Sequence, residues 1–126
     1  MAEKSRILLV DDEPDIVEVF AKRLQLEGYE VLMAIDGEAA LAKARQEKPD
    51  LIILDLMLPK MDGYKVCSFL KKDSRSAQIP IIIVTARIQD SEEKLGYECG
   101  ANAYFTKPFD STDLMAKIRS LLEVPK

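Results

Sequence analysis

Short apolar runs and longer amphipathic stretches alternate along this chain five times, and the alternation predicts its architecture. Strand-like runs fall at 6–10, 30–34, 51–54, 80–84 and 102–106. Leu51-Ile-Ile-Leu54 and Ile81-Ile-Ile-Val84 are apolar throughout, as in central strands covered on both faces. Glu30-Val-Leu-Met-Ala34 is more mixed, which predicts a place nearer the sheet edge. Between the runs lie helical patterns. Residues 14–27 carry Ile16, Val17, Phe20 and Leu24 on one face, with Pro14 in the tolerant first turn and Gly28 as the stop. Residues 37–47 repeat Ala39, Ala40, Leu41 and Ala44 and end before Pro49. Shorter helices are expected at 63–72 and 91–99. A last one, at about 110–122, aligns Leu114, Ile118, Leu121 and Leu122.

This alternation predicts an α/β fold: a doubly wound (βα)5 unit with right-handed crossovers and a parallel sheet. Length and the lack of repeats or linkers predict a single domain over 1–126, structured from about 5 to 122. Surface scaling then buries about two-thirds of the unfolded chain's area, enough for a core without staples. The tail Val124-Pro-Lys126 stops just after the last helix, which predicts no attached output domain.

Polar residues follow the apolar runs. Asp11 and Asp12 come after Arg6-Ile-Leu-Leu-Val10, Asp55 after Leu54, Thr85 after Val84 and Lys107 after Ala103-Tyr-Phe-Thr106. In a parallel sheet all these strands finish at one edge, where open α/β folds keep their ligand sites. Asp11 and Asp12 are adjacent, so a bend after Val10 is needed before both serve one site. If the first and third strands are neighbours, Asp55 stands about 4.8 Å away. Repulsion among three carboxylates is relieved by a cation, and an all-oxygen set suits Mg²⁺ or Mn²⁺ better than calcium or zinc. The plainer reading of Asp-Asp-Glu-Pro is a helix cap, which leaves Asp55 and Lys107 unexplained.

Asp55 ends an apolar strand, where a purely structural carboxylate is costly. It fits either a metal ligand or a nucleophile that forms an acyl phosphate. Lys107 can bring a mobile positive charge to the equatorial oxygens of a phosphoryl group, and Thr85 a hydroxyl. Ala86 leaves the approach open. Pro108 admits a cis Lys107–Pro108 bond that aims the lysine inward, against the alternative of an ordinary surface lysine.

Charge and cysteine usage narrow the classes. A net charge of -4 argues against direct nucleic-acid binding by this domain. Cys67 and Cys99 lack metal-ligand spacing and are expected as half-buried, reduced helix residues. No leader or membrane-length apolar run is present, so a cytoplasmic protein without membrane contact is expected. The chain contains 0 histidines, so any phosphohistidine must come from another molecule.

Together Leu9-Val-Asp-Asp-Glu-Pro14, Asp55-Leu-Met-Leu-Pro-Lys-Met-Asp-Gly63, Ile83-Val-Thr-Ala86 and Lys107-Pro-Phe109 resemble the receiver domain of two-component response regulators, over nearly the whole chain. The resemblance implies a flavodoxin-like receiver fold with strand order 2-1-3-4-5. It implies Asp55 as phosphoacceptor, and Asp11, Asp12, Asp55 and the Met57 carbonyl as Mg²⁺ ligands. Thr85 and Tyr104 are then a switch pair, Lys107 contacts the phosphoryl group and Pro108 follows a cis bond. The implied donor is a sensor histidine kinase or histidine phosphotransfer protein. The downstream target is unknown, and partners read a face built from residues 91–99, 102–106 and 110–122. Once Thr85 is drawn to the phosphoryl oxygens, Tyr104 is expected to turn inward.

Met57 and Arg87 flank the entry of a hydrolytic water and are ill suited to orient it, which predicts a phosphoryl group that persists longer than in a variant carrying Asn at 57. Asn102 and Ala103 stand where receivers of transcription factors often carry acidic dimer residues. A monomer or a weak phosphorylation-dependent dimer is therefore expected, as a stand-alone receiver or one cut from a longer protein. Such a receiver is no conventional enzyme, although it promotes its own phosphorylation and dephosphorylation. The main alternative is a receiver-like interaction module that works without phosphate. A flavodoxin-like electron carrier is disfavoured because Asp11-Asp-Glu13 would repel a flavin phosphate. A haloacid-dehalogenase-type phosphatase would want an Asp where Met57 stands, and no P-loop motif occurs.

Overall fold

Branched aliphatic residues fill the middle of the sheet because these positions are covered from both sides. The computed structural model describes residues 5–55, 63–85, 100–106 and 111–123. Five strands, β1 (Arg6–Val10), β2 (Glu30–Ala34), β3 (Leu51–Asp55), β4 (Ile81–Thr85) and β5 (Ala103–Thr106), form one sheet. Its order is β2-β1-β3-β4-β5 and every pairing is parallel, a flavodoxin-like topology. All five residues of β3 and of β4 are buried, whereas mixed β2 lies at an edge, as its composition predicts.

Alternation along the strands builds two cores. Leu8, Val10, Ile52, Leu54, Ile81 and Ile83 face α2 (Gly37–Glu47) and α3 (Gly63–Lys72). Ile7, Leu9, Leu51, Ile53, Ile82 and Val84 face α1 (Pro14–Leu26) and α4 (Ser111–Glu123). Each fully buried Leu or Ile side chain contributes about 1.5–3 kcal/mol relative to exposure. The helices add Val17, Leu24, Leu114 and Ile118 on one side, and Ala40, Ala44, Val66 and Leu70 on the other.

The helix ends follow local chemistry. Pro14 opens α1, and Gly28 closes it at φ +96°, with the Tyr29 amide donating back to the Leu24 carbonyl at 3.1 Å. Asp36 caps α2 by accepting the Ala39 amide at 2.8 Å. Lys48 ends α2 in the left-handed region, at φ 48°, just before Pro49.

Five elements differ from expectation at their ends, α1 stopping at Leu26 rather than 27 and α4 shifted by one residue to Ser111–Glu123. β3 runs on to Asp55, the fourth strand occupies Ile81–Thr85 rather than 80–84, and the fifth begins at Ala103 rather than at 102. The last shift has a cause: Asn102 uses its side chain as well as its backbone to meet β4. Cys67 is fully buried in α3 rather than half-buried, because its position points into the α2–α3 core. The helix expected over 91–99, with Cys99, lies outside the described residues.

Candidate functional site

The pairing register brings the acidic residues to one edge. Val10 is the partner of Leu54, so Asp11 and Asp55 stand one step further along neighbouring strands. Both follow the alternation of Leu9 and Ile53 and therefore fall on the α1 side. They line one small cavity of about 30 Å³ together with Ile16, Phe20 and Val84. That is room for a water-sized group. Asp11 is 5% exposed and Asp55 6%, far below the usual exposure of carboxylates.

The bend that the adjacent aspartates require is present. The Asp11 amide still donates to Ala34 of β2 at 3.1 Å, so Asp11 prolongs the sheet by one residue. Its Oδ1 then accepts the Glu13 amide at 3.0 Å, an Asx-type turn that swings the chain into α1. Asp12 is carried to the exposed outside of this turn. Glu13, the residue before α1, makes no side-chain bond to the helix's first turn, which weakens the capping explanation of this acidic run.

Carboxylate oxygens of Asp11, Asp12 and Glu13 all lie within 4.8 Å of one another. Among the described residues this is the close acidic group, and Asp55 is not part of it; the sequence reading paired Asp55 with the two aspartates and passed over Glu13. The Asx turn explains the difference, since it folds Glu13 back toward Asp11. An oxygen-only donor set with one buried carboxylate, Asp11, and two exposed ones fits a hard divalent cation such as Mg²⁺.

Thr85 ends β4 with 0% exposure. Its position in the alternation places it with Ile83 on the α2–α3 side, opposite to Asp55. Tyr104 pairs with Ile83 and packs against that same core, so Thr85 and Tyr104 share a face on adjacent strands. The Tyr104 ring is half-buried and its hydroxyl oxygen is shielded from solvent. Met57, Ala86, Arg87, Lys107 and Pro108 lie outside the described residues.

Sequence reasoning also missed two strand-leading residues. Asp50 accepts the Arg6 amide at 2.8 Å and donates its own amide to the Arg6 carbonyl at 2.8 Å. Asn102 does the same to Ile81, at 3.0 and 2.8 Å. An Asx residue directly before an apolar run was the available signal.

Comparisons with known proteins converge. The family model described as "Response regulator receiver domain" matches residues 7–119. The chain is 46% identical over 117 residues to the "DNA-binding dual master transcriptional regulator RpaA" of Synechocystis sp., covering 93% of this chain and 48% of that protein. It is 45% identical over 117 residues to the "Alkaline phosphatase synthesis transcriptional regulatory protein PhoP" of Bacillus subtilis, with 93% and 48% covered. The chain thus spans about half the length of these curated relatives. A crystal structure of a putative response regulator from Chloroflexus aurantiacus superposes with a TM-score of 0.91 at 34% identity, covering 97% of this chain and 100% of that one. Strand order, the acidic strand ends and a family match over nearly the full length lead to one conclusion: the chain belongs to the response regulator receiver domain family.

Proposed function

We propose that this chain is the phosphoacceptor of a two-component phosphorelay and that Asp55 carries the phosphoryl group. The observation that supports this most directly is the shared cavity of Asp11 and Asp55, two nearly buried carboxylates on neighbouring strand ends. An Asp55 oxygen forms the new bond to phosphorus as the bond from phosphorus to the donor's imidazole nitrogen breaks. The electron pair stays on that nitrogen, which is protonated from solvent. The donor is a sensor histidine kinase or a histidine phosphotransfer protein, in keeping with the absence of histidine here.

Asp11, Asp12 and Asp55, with the Met57 carbonyl, would hold Mg²⁺. When bound, the ion supplies positive charge to the phosphoryl oxygens. Lys107 brings a second positive charge, and Pro108 directs it. Thr85 answers the new acceptor oxygens, and Tyr104, on the same face, transmits that answer to the surface read by the target. The pair needs a bias of only a few kcal/mol between its two arrangements.

RpaA and PhoP are named as transcriptional regulators and are about twice as long as the matched region. For this domain, a net charge of -4 favours a protein target over direct contact with nucleic acid. No described helix is long and apolar enough to cross a membrane. A cytoplasmic, monomeric or weakly dimerising receiver is the corresponding proposal.

Mass spectrometry after incubation with acetyl phosphate and Mg²⁺ tests the assignment. Wild type should gain a single hydroxylamine-labile phosphate and Asp55→Asn none. Equal labelling of both proteins would refute the role of Asp55. Absence of labelling in wild type would favour a phosphate-independent interaction module.

A further inference from the structure

Among the described residues β5 is the shortest strand; it lies at the sheet edge and pairs with β4 through four residues. With so few ladder pairs, β5 is held by the packing of its side chains and by whatever fastens its ends. Something must hold β5 in place if a movement beside Thr85 is to reach Tyr104 rather than be absorbed by slippage. The holding contacts lie at the far end of both strands, away from the acidic edge. Asn102 grips the first residue of β4 twice: Oδ1 accepts the Ile81 amide at 3.0 Å, and the Asn102 amide donates to the Ile81 carbonyl at 2.8 Å.

The approach to Asn102 is braced as well. Gly100 has φ +102°, and a Cβ there would come within 2.8 Å of the Lys71 Cγ, so its backbone lies directly on the lysine stem. The Lys71 ammonium donates to the carbonyls of Ile79 at 2.6 Å and Ala77 at 3.3 Å, in the segment that leads into β4. One α3 side chain therefore touches the lead-in segments of both strands.

We propose that Asn102 is a positioning residue for the Thr85–Tyr104 switch, clamping β5 onto β4 with Gly100 seated on Lys71 behind it. This rests on the phosphoacceptor reading of Asp55. Asn102 touches no reacting atom; it acts by fixing Tyr104, two residues on, against Ile83 and hence on the face of Thr85. An aspartate at this position keeps the acceptor oxygen, whereas an alanine removes it.

The test compares hydrogen exchange of the 103–106 amides before and after treatment with acetyl phosphate and Mg²⁺. In wild type, phosphorylation should alter exchange in this segment. Asn102→Ala should be labelled at a rate within about twofold of wild type, with 103–106 exchanging about fivefold faster before labelling and showing little further response. Asn102→Asp should restore the wild-type response. A wild-type response in Asn102→Ala, or failure of Asn102→Asp to restore it, overturns the positioning role and leaves the Asp55 assignment standing. Wild-type protein that takes no phosphate overturns both.

Discussion

Asp11 accepts the Glu13 amide at 3.0 Å, so the residue that prolongs β1 also turns the chain out of the sheet. One carboxylate therefore has two duties, and they can be separated. Asp11→Asn keeps the turn acceptor and removes the charge; Asp11→Ala removes both. In urea without metal, the Asn variant should be at least as stable as wild type, because repulsion with Asp12 and Glu13 is relieved. The Ala variant should lose about 0.5–1.5 kcal/mol. Millimolar Mg²⁺ should stabilise wild type and leave Asp11→Asn unchanged. Equal stabilisation of both would show that Asp11 is not a ligand.

Two glycines with positive φ offer an internal control. Gly28, at φ +96°, has open space where a Cβ would stand, so Gly28→Ala should cost only the backbone conformation, about 1–2 kcal/mol. Gly100 carries the same backbone penalty plus the clash with Lys71. Gly100→Ala should therefore cost about 1–3 kcal/mol more, measured by denaturant unfolding. Equal losses would mean that the lysine stem yields freely.

Acid sensitivity is expected at the α3–β4 turn. Hydrogen bonds from Arg75, then the Arg75 charge and a bond from Arg45, hold the Asp73 carboxyl well below the usual carboxylate range. Folded protein then binds fewer protons here than unfolded protein does. The contribution is present in full above the ordinary carboxylate range and fades as pH falls through and below about 4. The stability gap between wild type and Asp73→Asn should be widest near neutral pH and narrow on acidification. A gap independent of pH would contradict the ion pairing.

Leu114 is fully buried on the core-facing side of α4, whereas Leu26 is 86% exposed. Leu114→Ala should lose about 2–5 kcal/mol and Leu26→Ala no more than about 0.5 kcal/mol, by chemical denaturation. A comparable loss at Leu26 would reveal a packing role that its exposure denies.

Strand positions were legible because Ile- and Leu-rich runs have few other homes, and the helix faces because Val17 and Leu24 in α1, and Leu114 and Ile118 in α4, recur at helical spacing. The acidic strand ends followed from the strands. Contacts made by one side chain across the sequence were hidden: an Asx residue before an apolar run marks Asn102 as a strand leader, but its partner Ile81 and the Lys71 stem under Gly100 depend on register, which no local pattern encodes. Glu13 was overlooked for a related reason, since its proximity to Asp11 and Asp12 arises from an Asx turn rather than from strand geometry.

The sheet is also a partition. Asp11 and Asp55 line a cavity in the layer under α1, while Tyr104 packs into the layer over α2 and α3. A substitution deep in one layer can adjust the chemistry of the acids, and one in the other can adjust the responsiveness of the tyrosine. The two layers can thus be repacked separately, with β4, whose Val84 lines the acidic cavity, as their common wall.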